Sequence, residues 1–153
     1  MRIVAETVLG VVLTLLLAVA VAGLLAGLDR PNPAEAFLRE GPALLFGAFW
    51  IAIVLWVILV GIGNVVHRNR RPRARVLHNL LSALAVSVLN VIVLTVIGAT
   101  AGGFGMLLVG IAVVAAIAFL VGAAIAVPLT HLVLFRPRTP AATPATPAAP
   151  IAH

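Results

Sequence analysis

Residues 42–66 read PALLFGAFWIAIVLWVILVGIGNVV, and the next nine residues, 67–75, read HRNRRPRAR. The first segment carries no charged side chain, whereas the second carries five arginines. A helix of about 20 apolar residues crosses a hydrocarbon core roughly 30 Å thick, so residues 42–66 are long enough to span a bilayer. The arginine-rich segment is typical of a cytoplasmic loop, because such loops are retained on that side of the membrane.

Three further apolar runs have the same character, at residues 3–28, 76–98 and 104–135. None of them shows the period-two alternation that the strands of a membrane β-barrel require. The whole chain is 63% hydrophobic and only 9% charged, whereas an ordinary soluble domain is about 25% charged. We therefore predict an all-α integral membrane protein, with a four-helix transmembrane bundle over residues 1–135.

The arginines predict the orientation of this bundle. If four helices span, two arginines lie on one side, Arg30 and Arg39, and eight lie on the other: Arg2, Arg68, Arg70, Arg71, Arg73, Arg75, Arg136 and Arg138. This excess places both termini in the cytoplasm, and we expect a bacterial plasma membrane. The net charge of +6 arises between the apolar runs, so nucleic acid is not an expected partner. A cleaved signal peptide over the first run is the alternative, although the run is longer than is usual for one.

Residues 136–153 read RPRTPAATPATPAAPIAH, with proline recurring among alanine and threonine. Such a segment has no periodic apolar face and predicts a disordered cytoplasmic tail. A docking peptide for a cytoplasmic partner is the alternative function for this tail.

Small residues predict where the helices pack, because close backbone approach replaces the hydrophobic effect inside a bilayer. Five of them recur at helical spacing on the first and fourth runs: Gly23, Gly27, Ala118, Gly122 and Ala126. We expect these two helices to be a close-packed pair or the contact of a homo-oligomer.

Polar residues are concentrated on the third run. Asn79, Ser82, Ser87 and Asn90 fall within an arc of roughly 140° at 100° per residue. Lipid cannot satisfy such a stripe, so it should face protein or a cavity. Two interpretations remain open: hydrogen bonds between helices, or the lining of a solute path.

Glu6 is the acidic residue that falls inside an apolar run. Because it follows Arg2 by four residues, about 6 Å along a helix, we predict an interfacial carboxylate that either extends to the headgroups or is paired with arginine. The alternative is the coupling carboxylate of a small transporter. The arginines of the 67–75 loop are predicted to anchor anionic lipid headgroups, at about 1 kcal/mol each: Arg68, Arg70, Arg71, Arg73 and Arg75.

Three histidines, His67, His78 and His131, map to the same membrane surface. They form no HExxH motif and no pair at i, i+4, and no carboxylate lies near them in sequence. We therefore expect no metal and no cofactor, with a haem iron held by His78 and His131 as the alternative. The chain contains no cysteine, which excludes disulfides and thiolate ligands.

These patterns favour a non-enzymatic protein that acts by binding, as an accessory or scaffolding subunit of a membrane complex. Its expected partners are the lipid bilayer, anionic headgroups, and other membrane subunits or further copies of itself. The alternative is a small oligomeric transporter or channel with a polar path along the third helix.

Overall fold

Four helices follow one another along the chain: α1 (Arg2–Gly27), α2 (Pro33–Val66), α3 (Pro72–Thr100) and α4 (Gly103–Leu134). The computed structural model describes residues 2–28, 32–67, 72–100 and 103–134. Each helix contains a segment that is long and apolar enough to cross a membrane, namely Val4–Gly27, Leu38–Val66, Arg73–Thr100 and Gly105–Val133. The prediction of four long apolar helices is confirmed, while the predicted tail, 136–153, lies outside the described residues.

Two helices begin earlier than the apolar runs predict. Helix α2 begins at Pro33 and continues through Pro42, and α3 begins at Pro72. Proline suits the first turn of a helix, where its missing N–H would have no partner inside the helix. Pro42 costs one backbone hydrogen bond within α2, yet the helix extends on both sides of it. As a result, Arg75 lies in the first turn of α3, whereas its sequence context predicts a loop.

The centre of the bundle is aromatic. The rings of Phe49 and Phe119 have centroids 5.1 Å apart, and the Trp56 indole meets Phe119 edge-on at the same separation. All three side chains are almost fully buried, so they join α2 to α4. The indole N–H of Trp56 donates to the backbone carbonyl of Asn79, 3.4 Å away, and this bond ties the same aromatic centre to α3.

Helices α1 and α4 pack closely through small residues. A Cβ added at Gly122 would lie 2.8 Å from the Ala18 nitrogen and 2.8 Å from the Thr14 carbonyl oxygen. Ala118 and Ala126 on α4 are fully buried. Gly23 on α1 lies against α2, because a Cβ at Gly41 would come within 2.8 Å of the Gly23 Cα. Gly27 is also buried.

The outward faces of the four helices are apolar. In an 18-residue apolar segment of each candidate span, between 22% and 39% is buried within the bundle, and large aliphatic side chains account for much of the remainder. Leu16, Ile58 and Leu132, for example, are all more than half exposed. Such a surface is compatible with contact to lipid tails, whereas its exposure to water would be unfavourable. Four apolar helices with this exposed surface indicate a membrane protein.

Candidate functional site

A charged pair crosses the bundle at the end where α1 and α3 begin and α2 and α4 end. The Arg75 guanidinium donates to the Glu6 carboxylate across 2.8 Å, and the two side chains are only 7% and 11% exposed. Both residues lie within candidate membrane spans. The pair therefore joins α1 to α3 through opposite charges that are removed from solvent.

A third helix reaches the same carboxylate. The Nδ1 atom of His131, on α4, lies 3.8 Å from the second oxygen of Glu6. Sequence spacing shows no carboxylate near His131, so this proximity corrects that expectation and arises only from the packing of α1 against α4. In the structure the arginine that pairs with Glu6 is Arg75 of α3.

Amide side chains form a second set of contacts beside the charged pair. The side-chain amide of Asn64 on α2 donates to the Thr7 hydroxyl on α1 across 2.8 Å. The side-chain amide of Asn79 on α3 donates to the side-chain oxygen of Asn64 across 3.5 Å. Six residues join the four helices in this way and form the polar cluster: Glu6, Thr7, Asn64, Arg75, Asn79 and His131. Its members come from all four helices, so each helix is fixed in register by at least one polar contact.

Two other histidines lie beside the polar cluster, at the contact between α2 and α3. The rings of His67 and His78 stack with centroids 5.1 Å apart. His78 Nε2 is 3.3 Å from the Leu59 carbonyl and 3.4 Å from the Ser82 hydroxyl. A Cβ at Gly63 would overlap the His78 ring, so a glycine is needed there. Within the described ranges, no three His, Cys, Asp or Glu residues are grouped as a metal site would require.

A small cavity lies against the polar cluster. It has a volume of about 20 Å³, and Glu6, Thr7, Asn79, Gly10 and Thr130 are among its lining residues. The Thr130 hydroxyl donates to the Ala126 carbonyl of its own helix. The Asn79 side-chain oxygen is buried and has no hydrogen-bond partner among the described residues. The cavity is therefore polar on several sides.

The opposite half of the bundle carries a larger opening, here named the α2–α3 groove. It has a volume of about 680 Å³ and is lined mainly by apolar side chains of α2 and α3, with Leu108 and Ile111 of α4. Lining residues extend from Arg39 to Leu55 along α2, which is about 24 Å at 1.5 Å per residue. Gly47 lines the groove and has no atom within 4 Å of an added Cβ.

The predicted polar stripe of α3 is divided between these two regions. Ser82 contacts His78, and Asn79 belongs to the polar cluster. Asn90 lines the α2–α3 groove and donates to the Ala48 carbonyl across 3.3 Å. Ser87 is 1% exposed, and its hydroxyl has no partner among the described residues. No single described cavity is lined by all four residues.

The predicted headgroup anchors have different placements. Arg75 is buried against Glu6, and Arg73 is exposed. The anchoring function remains a prediction, and the other three arginines of that loop, Arg68, Arg70 and Arg71, lie outside the described residues.

Comparison with protein-family models, with curated proteins and with solved structures finds no match to this chain. The proposed function is therefore based on the geometry of the polar cluster and of the α2–α3 groove.

Proposed function

We propose that this protein is a non-enzymatic accessory or scaffolding subunit of a membrane complex, and that the α2–α3 groove binds a transmembrane helix of its partner. The arginine distribution supports an orientation with both termini in the cytoplasm of a bacterial cell. In that orientation the groove lies in the outer half of the plasma membrane, and the polar cluster lies in the inner half.

The size and floor of the groove support a helix as the occupant. Its length of about 24 Å along α2 equals more than four helical turns. Ala43, Gly47 and Ala48 supply small lining residues, and small residues let a second helix approach closely in lipid. The bare face of Gly47 is the observation that carries the proposal, because an added Cβ there meets nothing within 4 Å.

Asn90 favours a helix over a lipid tail in this groove. Its amide donates one hydrogen bond, to the Ala48 carbonyl, but a carboxamide offers two donor hydrogens and two acceptor lone pairs. A hydrocarbon tail leaves the remaining capacity unused, whereas a polar side chain of a partner helix can bond to it. Hydrogen bonds between helices in membranes contribute about 0.6 kcal/mol on average.

Co-purification in mild detergent, at native expression level, tests the proposal. Gly47→Leu should fill the groove and reduce recovery of the partner about tenfold, which corresponds to roughly 1.4 kcal/mol. Gly61→Leu is the matched control, because Gly61 lies on the same helix, also faces open space, and does not line the groove. Equal recovery with both variants would contradict the proposal.

Cross-linking identifies the occupant. The chain has no cysteine, so an apolar photoreactive label can be attached at one introduced residue. Ile51→Cys places the label in the groove, and Ile58→Cys places it on an equally apolar exposed face of α2 outside the groove. A partner protein linked from position 51 alone supports the proposal. A dimer of this chain, or lipid adducts alone, would contradict it.

A small transporter or channel is the second candidate, and the charged pair favours it. Ionisable side chains inside membrane spans often mark ion or proton pathways, and Glu6 lies between Arg75 and His131. Flux into liposomes distinguishes the candidates. A transporter should lose flux with Glu6→Gln and with Asn90→Leu, whereas an accessory subunit should show no flux with any variant.

A further inference from the structure

The cavity beside the polar cluster is of a size that suits one small molecule. Its volume is about 20 Å³, and a buried water needs roughly 10–15 Å³ together with two to four polar partners. Val60, Val127 and Trp56 complete its walls. Oxygen atoms of α1, α3 and α4 are thus close to one another in a space that is otherwise apolar.

Three polar side chains of the lining present hydrogen-bond acceptors. The Glu6 carboxylate accepts from the Arg75 guanidinium, and the Thr130 hydroxyl hydrogen is directed to the Ala126 carbonyl. The amide hydrogens of Asn79 face the Asn64 oxygen, which leaves the Asn79 side-chain oxygen buried without a donor among the described residues. A buried acceptor without a hydrogen bond destabilises the folded protein. The lining therefore selects a ligand with at least two donor hydrogens or a positive charge.

We propose that this cavity binds one water molecule, which donates hydrogen bonds to the Asn79 side-chain oxygen and to the Glu6 carboxylate. The proposal is independent of the partner-binding function, because the cavity and the α2–α3 groove lie in opposite halves of the bundle. The bound water connects α1 to α3 at a second point, beside the Glu6–Arg75 pair.

Charge favours water over a metal cation in this cavity. The Arg75 guanidinium is 2.8 Å from Glu6 and already balances the carboxylate charge. A cation would therefore be repelled by the guanidinium, whereas a neutral molecule gains hydrogen bonds without that repulsion.

The proposal is tested by whether Gly10→Ala raises or lowers the unfolding midpoint. Gly10 lines the cavity, and an added Cβ would lie 3.9 Å from Thr130, an ordinary contact. The methyl group would thus reduce the space beside Thr130 without displacing protein atoms. Gly61→Ala is the matched control, because Gly61 is equally helical and faces open space. Alanine is the better helix former, so the control should raise the unfolding midpoint, and Gly10→Ala should lower it.

Removal of the acceptor should abolish this difference. In an Asn79→Leu background the side-chain oxygen is gone, and Gly10→Ala should then raise the midpoint as Gly61→Ala does. The double-mutant cycle isolates this coupling. If Gly10→Ala raises the unfolding midpoint in both the wild-type and the Asn79→Leu protein, the bound water is refuted. The increase would then be explained by the filling of a dry cavity alone.

Two measurements on the unaltered protein give independent results. An experimental structure that shows ordered water should place one density peak at hydrogen-bond distance, about 2.5–3.0 Å, from both the Asn79 and Glu6 oxygens. The unfolding midpoint should also be the same in sodium, potassium and choline chloride at one ionic strength. A missing density peak, or a midpoint that rises with one small cation, would overturn the proposal.

Discussion

At one end of the bundle, side chains from all four helices meet in the polar cluster, whose Glu6–Arg75 pair is almost fully buried. At the other end, α2 and α3 leave a groove of about 680 Å³ in which Gly47 faces open space. The same two helices take part in both regions, because they are in contact around His78 and together line the groove beyond Val86. Internal bonding is concentrated at the first end, while the second end exposes surface. Stability should thus depend on the first end and partner binding on the second.

The largest expected effect is on the charged pair. Glu6→Gln keeps the shape of the side chain but leaves the Arg75 charge buried without its carboxylate. Removal of one member of a buried ion pair costs about 3–5 kcal/mol, so the unfolding free energy in mixed detergent micelles should fall by about that amount. Glu6→Leu combined with Arg75→Leu is the control and should recover most of the loss. A loss under about 0.5 kcal/mol for the single variant would show that the pair is not structural.

A smaller loss is expected at the contact between α1 and α4. Gly122→Val would place a Cβ 2.8 Å from backbone atoms of Ala18 and Thr14, so one helix must move. Overpacking of this kind costs about 1–3 kcal/mol. Gly110→Val on the same helix meets nothing within 4 Å of its Cβ and should leave the unfolding free energy nearly unchanged. Equal losses at the two positions would argue against close packing of α1 and α4.

The amide network should contribute less again. Asn64→Leu removes one hydrogen bond to Thr7 and one from Asn79. At about 0.6 kcal/mol for each bond, the unfolding free energy should decrease by roughly 1 kcal/mol. Thr95→Val provides the comparison, since Thr95 is exposed and bonds only to the Val91 carbonyl of its own helix. A larger loss at Thr95 than at Asn64 would contradict the bundle geometry.

The smallest effect on stability is expected in the groove. Asn90→Leu removes a single bond of 3.3 Å to the Ala48 carbonyl, so the unfolding free energy should change by about 0.6 kcal/mol or less. Recovery of the partner protein should nevertheless decrease, because the polar contact inside the groove is lost. If Asn90→Leu strongly reduces stability but leaves partner binding unchanged, the proposal that the groove end serves binding rather than stability is contradicted.

The sequence predicts the four helices because a long apolar segment in lipid must satisfy its own backbone, and a helix does so locally. It does not predict where α2 and α3 begin. Three prolines are each compatible with the first turn of a helix: Pro33, Pro42 and Pro72. The apolar run directly follows Pro42, so the sequence predicts a start of α2 there rather than at Pro33. The start of α3 matters most, because it places Arg75 on a helix face that meets Glu6.

Small residues predict the pairing of α1 with α4, whereas the other contacts between helices could not be predicted from the sequence. Helices α1, α2 and α4 are apolar on nearly every side, so no amphipathic stripe like that of α3 indicates their inward faces. The contact of Glu6 with His131 depends on the pairing of α1 with α4, and the α2–α3 groove depends on how far two helices separate. One signal was present in the sequence: residues that precede or follow the arginine-rich segments share one membrane depth, which brings Glu6, Arg75 and His131 to a common level.

The close packing of α1 against α4 has a consequence for biogenesis. As α1 leaves the ribosome, neither its small-residue face around Ala18 nor its Glu6 carboxylate has a partner, because Arg75 and His131 are synthesised later. Once inserted, α1 therefore lacks these protein partners until the later helices are made. Only the arrival of α4 completes the assembly, so chains interrupted before Gly122 should be substrates for membrane proteolysis.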